Sequence, residues 1–281
     1  MLSIAFALLR PELDVKAITT VTPHSARRAA LITRLLETIG RQDIPVAPGM
    51  ELPLRPLSSE ERTVLMKAEV VNHAVFEAPP DLQASTDAVS LILRTVEENA
   101  GDIAIVTIGP LTNIACALQR KPEIAQKIRW IAMMGGEVQH PISEHNIKCD
   151  YNAAAIVFAS GIPLFLGTSS ITSRFVLMPE ECELIHNHDT PLCQFLSHCI
   201  KLWWPLKGDR PGPVMYDIAP ILWSYDRSFY PGEPMALSVE TTGEFTRGMT
   251  VRREGPANVE VSVDIRAGDI KKLYLETILS A

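Results

Sequence analysis

DIAIVTIGPLTNIACALQRKPEIAQKIRWIAMMGG, residues 102–136, is the stretch that decides the fold. It opens with an apolar run, breaks at Gly109 and Pro110, and continues with apolar residues at helical spacing. A second apolar run, 128–134, then ends in two glycines. Two short, nearly continuous apolar strands joined by a helix form a β-α-β unit, and strands of that kind belong to a parallel sheet covered on both faces.

The same order extends in both directions. Upstream, VKAITTV (15–21) predicts a strand and SARRAALITRLLETIG (25–40) a helix, with Leu31, Leu35 and Ile39 on one face and Gly40 as its stop. DIPVAPG predicts another short strand. TDAVSLILRTVEENAG places Val89, Ile92, Leu93 and Val96 on one stripe before Gly101. Downstream, AAAIVFASG and IPLFLG repeat helix and strand, while MALSVETTGEFTRGMTVRR and NVEVSVDI predict a small β-meander before a last helix. The expected architecture is a single α/β domain over 1–281 with an open, mainly parallel central sheet and helices on both faces.

Composition excludes several functions. A net charge of −7 lacks the basic face that phosphate-backbone binding requires. The apolar start, Leu2 to Leu9, is too short for a membrane span, and its first basic residue follows the run instead of preceding it, unlike a signal peptide. It is expected to be a buried helix. Five cysteines without CxxC spacing point to reduced thiols and a cytoplasmic location. The mixture of His186, His188, Cys193, His198 and Cys199 fits no standard zinc spacing.

In such a sheet, ligands bind beyond the carboxyl ends of the strands. Four segments lie there: TVTPH (20–24), TIGPLTN (107–113), MMGGE (133–137) and SEHNIKCD (143–150). Neither GxGxxG nor a Walker sequence accompanies them, so a dinucleotide site and a P-loop are unsupported.

Taken in order, IGPLTNIACAL, IAMMGGE, SEHNIKCDYNAAAIVFASGIPL, YDIAP and TTGEFTRGMTV resemble the inosine/uridine-preferring nucleoside hydrolases, from residue 2 to the C-terminus. The resemblance implies hydrolysis of the N-glycosidic bond of ribonucleosides by a homodimer or homotetramer. It also implies a Ca²⁺ ion that binds the ribose hydroxyls and positions the attacking water. Such chemistry needs oxygen-rich stabilisation of a positively charged ribose and protonation of the leaving base. By the same resemblance, Asp217 is a metal ligand, although an aspartate there also suits a helix N-cap. Ile108 offers its backbone carbonyl to the metal. Glu144 and Asn146 bond the ribose hydroxyls, with i and i+2 spacing that suits an extended segment, and Met134 packs on the sugar.

The pattern departs from the family in places. Pro23 and His24 stand where members often carry Gly-Asn, so His24 takes the ribose-contact position. Tyr216 replaces a proton-donating histidine, and a phenol is the weaker acid at neutral pH. His73 aligns with a base-side histidine of some pyrimidine-preferring members. Members also carry DxDxxxDD at the end of the first strand, directly before an apolar helix; here that helix begins at Met1, so the first strand and its calcium-binding aspartates are expected to be absent. Either a longer chain carries them upstream, or the protein is a catalytically silent homologue that binds nucleosides or serves as an oligomer subunit. Loss of a central strand would bare two strand edges, which favours the first reading.

Overall fold

The computed structural model describes residues 1–67, 87–204 and 209–281. Helix α1 (Leu2–Leu9) buries Ala5, Phe6 and Leu8, as its apolar run requires. Strand β1 (Ile18–Thr19), helix α2 (Ser25–Thr38) and strand β2 (Val46–Ala47) follow, then α3 (Ser59–Lys67) and α4 (Ala88–Glu98). Helix α4 starts where the Asp87 carboxylate accepts the Ser90 amide at 2.9 Å. Next come β3 (Ile103–Thr107), α5 (Thr112–Arg120), β4 (Ile128–Met134), α6 (His145–Cys149), α7 (Tyr151–Phe158) and β5 (Leu164–Gly167). The chain ends with α8 (Ser169–Thr172), α9 (Pro179–His186), α10 (Pro191–Trp203), α11 (Ile218–Trp223), β6 (Gly232–Met235), β7 (Leu237–Val239), β8 (Thr250–Arg252), β9 (Val259–Ser262) and α12 (Ala267–Leu279).

The main sheet has the order β3-β4-β5-β9-β6, parallel except for β6, and β1 pairs with β2 in a separate parallel ribbon. Side chains leave each strand alternately. Ala132 of β4 and Phe165 of β5 therefore join the core beneath α1, α2 and α9–α12, whereas Ile131, Met133, Leu164 and Leu166 join the core beneath α4, α5 and α7. Both faces are covered, in keeping with the apolar runs. Helix α11 packs across β3, β4 and β5, with Trp223 stacked on Phe165 at 4.6 Å.

Three elements differ from expectation. VKAITTV yields only two strand residues, Ile18 and Thr19, because its parallel partner β2 is only two residues long, and the left-handed Thr22 then turns the chain. β3 lies at the edge of its sheet, and Val106 is 39% exposed despite the apolar sequence around it. The C-terminal strands also divide: β7 and β8 form the small antiparallel pair, while NVEVSVDI supplies β9, which enters the main sheet beside β5. Its residues Val259 and Val261 are buried on one face and pair with a parallel strand, a position that alternation alone cannot assign.

Candidate active site

Four loops meet at the carboxyl ends of β1, β3 and β4. After β4, two glycines lead into Glu137, a buried carboxylate. Its Oε1 accepts the amides of Val138 (2.9 Å) and Gln139 (2.7 Å), and its Oε2 accepts the Ser169 hydroxyl (2.7 Å) and the Ser170 amide (2.9 Å) and hydroxyl (2.5 Å). Burial works against this charge, yet the hydroxyls of Ser170 and Ser169 and the amides of Gln139 and Ser170 outweigh it and hold the carboxyl below its usual range. Glu137 thus ties the loop after β4 to the start of α8.

Glu144 sits at the N-cap of α6, where its Oε2 accepts the amides of Ile147 and Gly136, each at 3.1 Å. Burial raises this carboxyl above its usual value, with the Asn146, Ile147 and Gly136 amides opposing. Asn146 is the second residue of α6 and donates Nδ2 to the Met134 carbonyl at 3.0 Å and to its sulfur at 3.4 Å. The expectation of an extended segment is corrected here, since Glu144 alone is extended and Asn146 is helical. What places both at one site is the cap, which turns Glu144 back over the end of β4 that Asn146 also reaches.

Asp217 precedes α11 and is partly buried. It makes no side-chain cap bond, so the N-cap alternative fails in its usual form. Burial pushes its carboxyl up to about 6; the Met1 α-amino group opposes this rise and Glu144 adds to it. Tyr216 is partly exposed immediately before Asp217. Ile108 follows β3 directly, and Gly109 beside it meets Val21 of the loop after β1. That loop carries His24, which starts α2 in a left-handed conformation with φ 62°. His73 lies outside the described residues. Glu144, Asn146 and Met134 therefore meet at the end of β4.

A calcium ion takes about six to eight oxygen ligands. Among the described residues, no three His, Cys, Asp or Glu side chains form a group able to hold a metal. The Asp217 carboxylate and the Ile108 carbonyl supply only part of such a shell, so these residues alone do not fit a calcium centre.

The family model for inosine-uridine preferring nucleoside hydrolase matches residues 1–273. The chain belongs to this family. The pyrimidine-specific ribonucleoside hydrolase RihA of Citrobacter koseri is 32% identical over 267 residues, covering 89% of this chain and 83% of that protein. The protein of the same name from Photobacterium profundum is 31% identical, covering 99% and 94%. Among solved structures, a purine-preferring ribonucleoside hydrolase from Gardnerella vaginalis superposes with a TM-score of 0.88 at 22% identity, covering 99% of this chain and 94% of that one. A plant nucleoside hydrolase superposes at 0.84 and 24%, covering 100% and 95%. The structural likenesses establish the shared nucleoside hydrolase fold.

Among the described residues, sequence reasoning left three buried carboxylate or carboxamide side chains without a role. They are Glu137, Asp150 and Asn113. Asp150, 0% exposed, accepts the amides of Leu54 (2.7 Å), Arg55 (3.2 Å) and Ala153 (3.1 Å) and the Thr112 hydroxyl (2.7 Å). The available signal was their position directly after apolar runs or at a helix start, where a buried acid or amide most often serves the backbone.

Proposed function

We propose that this protein hydrolyses the N-glycosidic bond of ribonucleosides, releasing ribose and free base, and that its substrates are pyrimidine ribonucleosides. The convergence of Glu144, Asn146 and Met134 at the end of β4 carries this reading. Two amides converge on Oε2 of Glu144, which leaves lone-pair capacity on Oε1 for a ribose hydroxyl. Asn146 spends Nδ2 on the Met134 carbonyl, leaving its Oδ1 to accept a second hydroxyl, while Met134 packs beneath the sugar. Negative charge at Glu144 and Asp217 favours the positive ribose that develops as the C1′–N bond breaks. On this reading Tyr216 donates to the leaving base and His24 takes the ribose-contact position. The pyrimidine assignment follows the names of the curated relatives at 31–32% identity.

On the same reading the protein works as a homodimer or homotetramer in the cytoplasm, in keeping with five unpaired cysteines. Among the described residues, no helix is long and apolar enough to cross a membrane. The incomplete set of metal donors favours a second reading, a nucleoside-binding protein without turnover.

One experiment separates the two. Uridine, cytidine and inosine are incubated with the protein with and without added Ca²⁺, reducing sugar is followed, and uridine binding is measured by calorimetry. Release of ribose that is lost in Glu144→Ala supports the hydrolase. Binding without release supports the second reading, and neither binding nor release overturns both.

A further inference from the structure

The loop after β1 is strained and heavily tied down. Thr22 has φ 74° and His24 φ 62°, on either side of Pro23. A β-branched residue in the left-handed region is an outlier that persists only where its surroundings over-determine it. Here the surroundings are specific. The Asn113 Nδ2 donates to the Thr20 carbonyl at 2.8 Å, and the Asn113 Oδ1 accepts the Met50 amide at 2.9 Å. Thr22 in turn donates its amide to the Met50 carbonyl at 2.9 Å. Thr20 Oγ1 donates to the Ser25 carbonyl at 2.7 Å, and Ser25 Oγ to the Gly49 carbonyl at 2.9 Å.

Asn113 is itself buried at the start of α5. Gly49 lets the chain come this close: a Cβ there would lie 2.4 Å from both polar atoms of the Asn113 side chain and 2.5 Å from the Thr20 carbonyl oxygen. One carboxamide therefore joins the ends of β1 and β2 to the helix that follows Ile108. The turn lies against the segment that follows β3, since a Cβ on Gly109 would lie 3.4 Å from Val21 Cγ1.

We propose that Asn113 is a positioning residue: its carboxamide locks the strained Thr22–His24 turn against Ile108 and Gly109, so that the sugar of a ribonucleoside meets a preformed wall. The inference rests on the ribonucleoside reading above for its ligand. Its structural half stands separately. Asn113 touches no substrate; it acts by keeping Thr22 and His24 in a conformation they would otherwise leave.

The test uses the full chain with Asn113→Ala, Asn113→Asp, Thr22→Gly and the double variant of Asn113→Ala with Thr22→Gly. Aspartate keeps the acceptor for Met50, loses the donor to Thr20 and buries a charge, so Thr22→Gly alone serves as the mild variant should the Asn113 variants fail to fold: its exchange at residue 22 should stay within about threefold of the parent. Glycine adopts the positive φ without strain. Hydrogen exchange at the amide of residue 22 is expected to rise about tenfold in Asn113→Ala, and the double variant should return to within about threefold of the parent, because relief of strain removes the need for the lock. Uridine affinity, measured by calorimetry, should fall and recover in the same order. Unchanged exchange at residue 22 in both Asn113 variants overturns the proposal, as does failure of Thr22→Gly to restore it. If the parent protein binds no uridine, the ribonucleoside reading falls, and the exchange rates still decide whether Asn113 is the lock.

Discussion

Replacing Asp150 should destabilise the chain more than any exposed substitution, and the structure gives the size. The carboxylate satisfies three backbone amides and one hydroxyl inside the protein. Asp150→Ala leaves the Leu54, Arg55 and Ala153 amides without an acceptor. Each stranded donor costs about 1–3 kcal/mol, and partial relaxation of the 54–55 loop toward water brings the expected total to about 3–6 kcal/mol. Asp150→Asn keeps one oxygen, which can serve Arg55 and Ala153, and turns an NH₂ group toward the Leu54 amide. With one donor stranded and the charge lost, about 2–4 kcal/mol is expected. Urea denaturation followed by circular dichroism gives both values on one scale. Hydrogen exchange adds a local readout, since the amides of Leu54 and Arg55 should exchange faster once their acceptor is gone. If Asp150→Ala costs under about 1 kcal/mol with unaltered exchange at the Leu54 and Arg55 amides, then water replaces the carboxylate at no loss and the account of this residue as an anchor is wrong.

Two further outcomes concern pH. The folded-state carboxyl of Glu137 lies below its unfolded value, so its contribution to stability is present above about pH 4.3 and is lost as pH falls through the folded value. Glu137→Gln should therefore flatten the acid limb of a stability profile between pH 5 and 3, and an unchanged limb would count against the network. Asp217 has the opposite sign: its folded carboxyl, near 6, lies above the unfolded value of about 3.9, so folding stability falls as pH rises through that window. Asp217→Asn should raise the melting temperature at pH 8 and leave it unchanged at pH 4, and a loss of stability at pH 8 would refute the idea of an uncompensated charge.

The parallel sheet was legible because β4 and β5 are apolar on both faces and the helices between them carry a single stripe. Gly40 and Gly101, with φ of 70° and 81°, end α2 and α4 where the sequence placed the stops. The edge position of β3 was not legible, since periodicity reports burial on the two faces and says nothing about which neighbour sits alongside. Glu144 and Asn146 were found from the resemblance, but spacing misjudged their backbone. A capping glutamate and the second residue of a short helix have the same sequence separation as two residues on one face of a strand. Asn113 stayed silent for a different reason: its bonds go to Thr20 and Met50, far away in sequence, and no local pattern encodes them.

The buried acids of this protein divide by how the fold treats their charge. Glu137 and Asp150 are surrounded by amides and hydroxyls, and each joins segments distant in sequence. Glu144 and Asp217 are held with too few donors to offset burial, and both carboxyls are pushed up. Folding alone gains nothing from leaving a carboxylate short of partners, because the same positions occupied by amides or apolar groups would be more stable. A deficit at Glu144 and Asp217, where Glu137 and Asp150 are fully satisfied, is the pattern expected where a ligand supplies the missing hydroxyls or positive charge. The scaffold acids are therefore the ones whose loss should unfold the protein. Asp217, which makes no side-chain cap bond, is by contrast the acid whose loss should leave the protein folded.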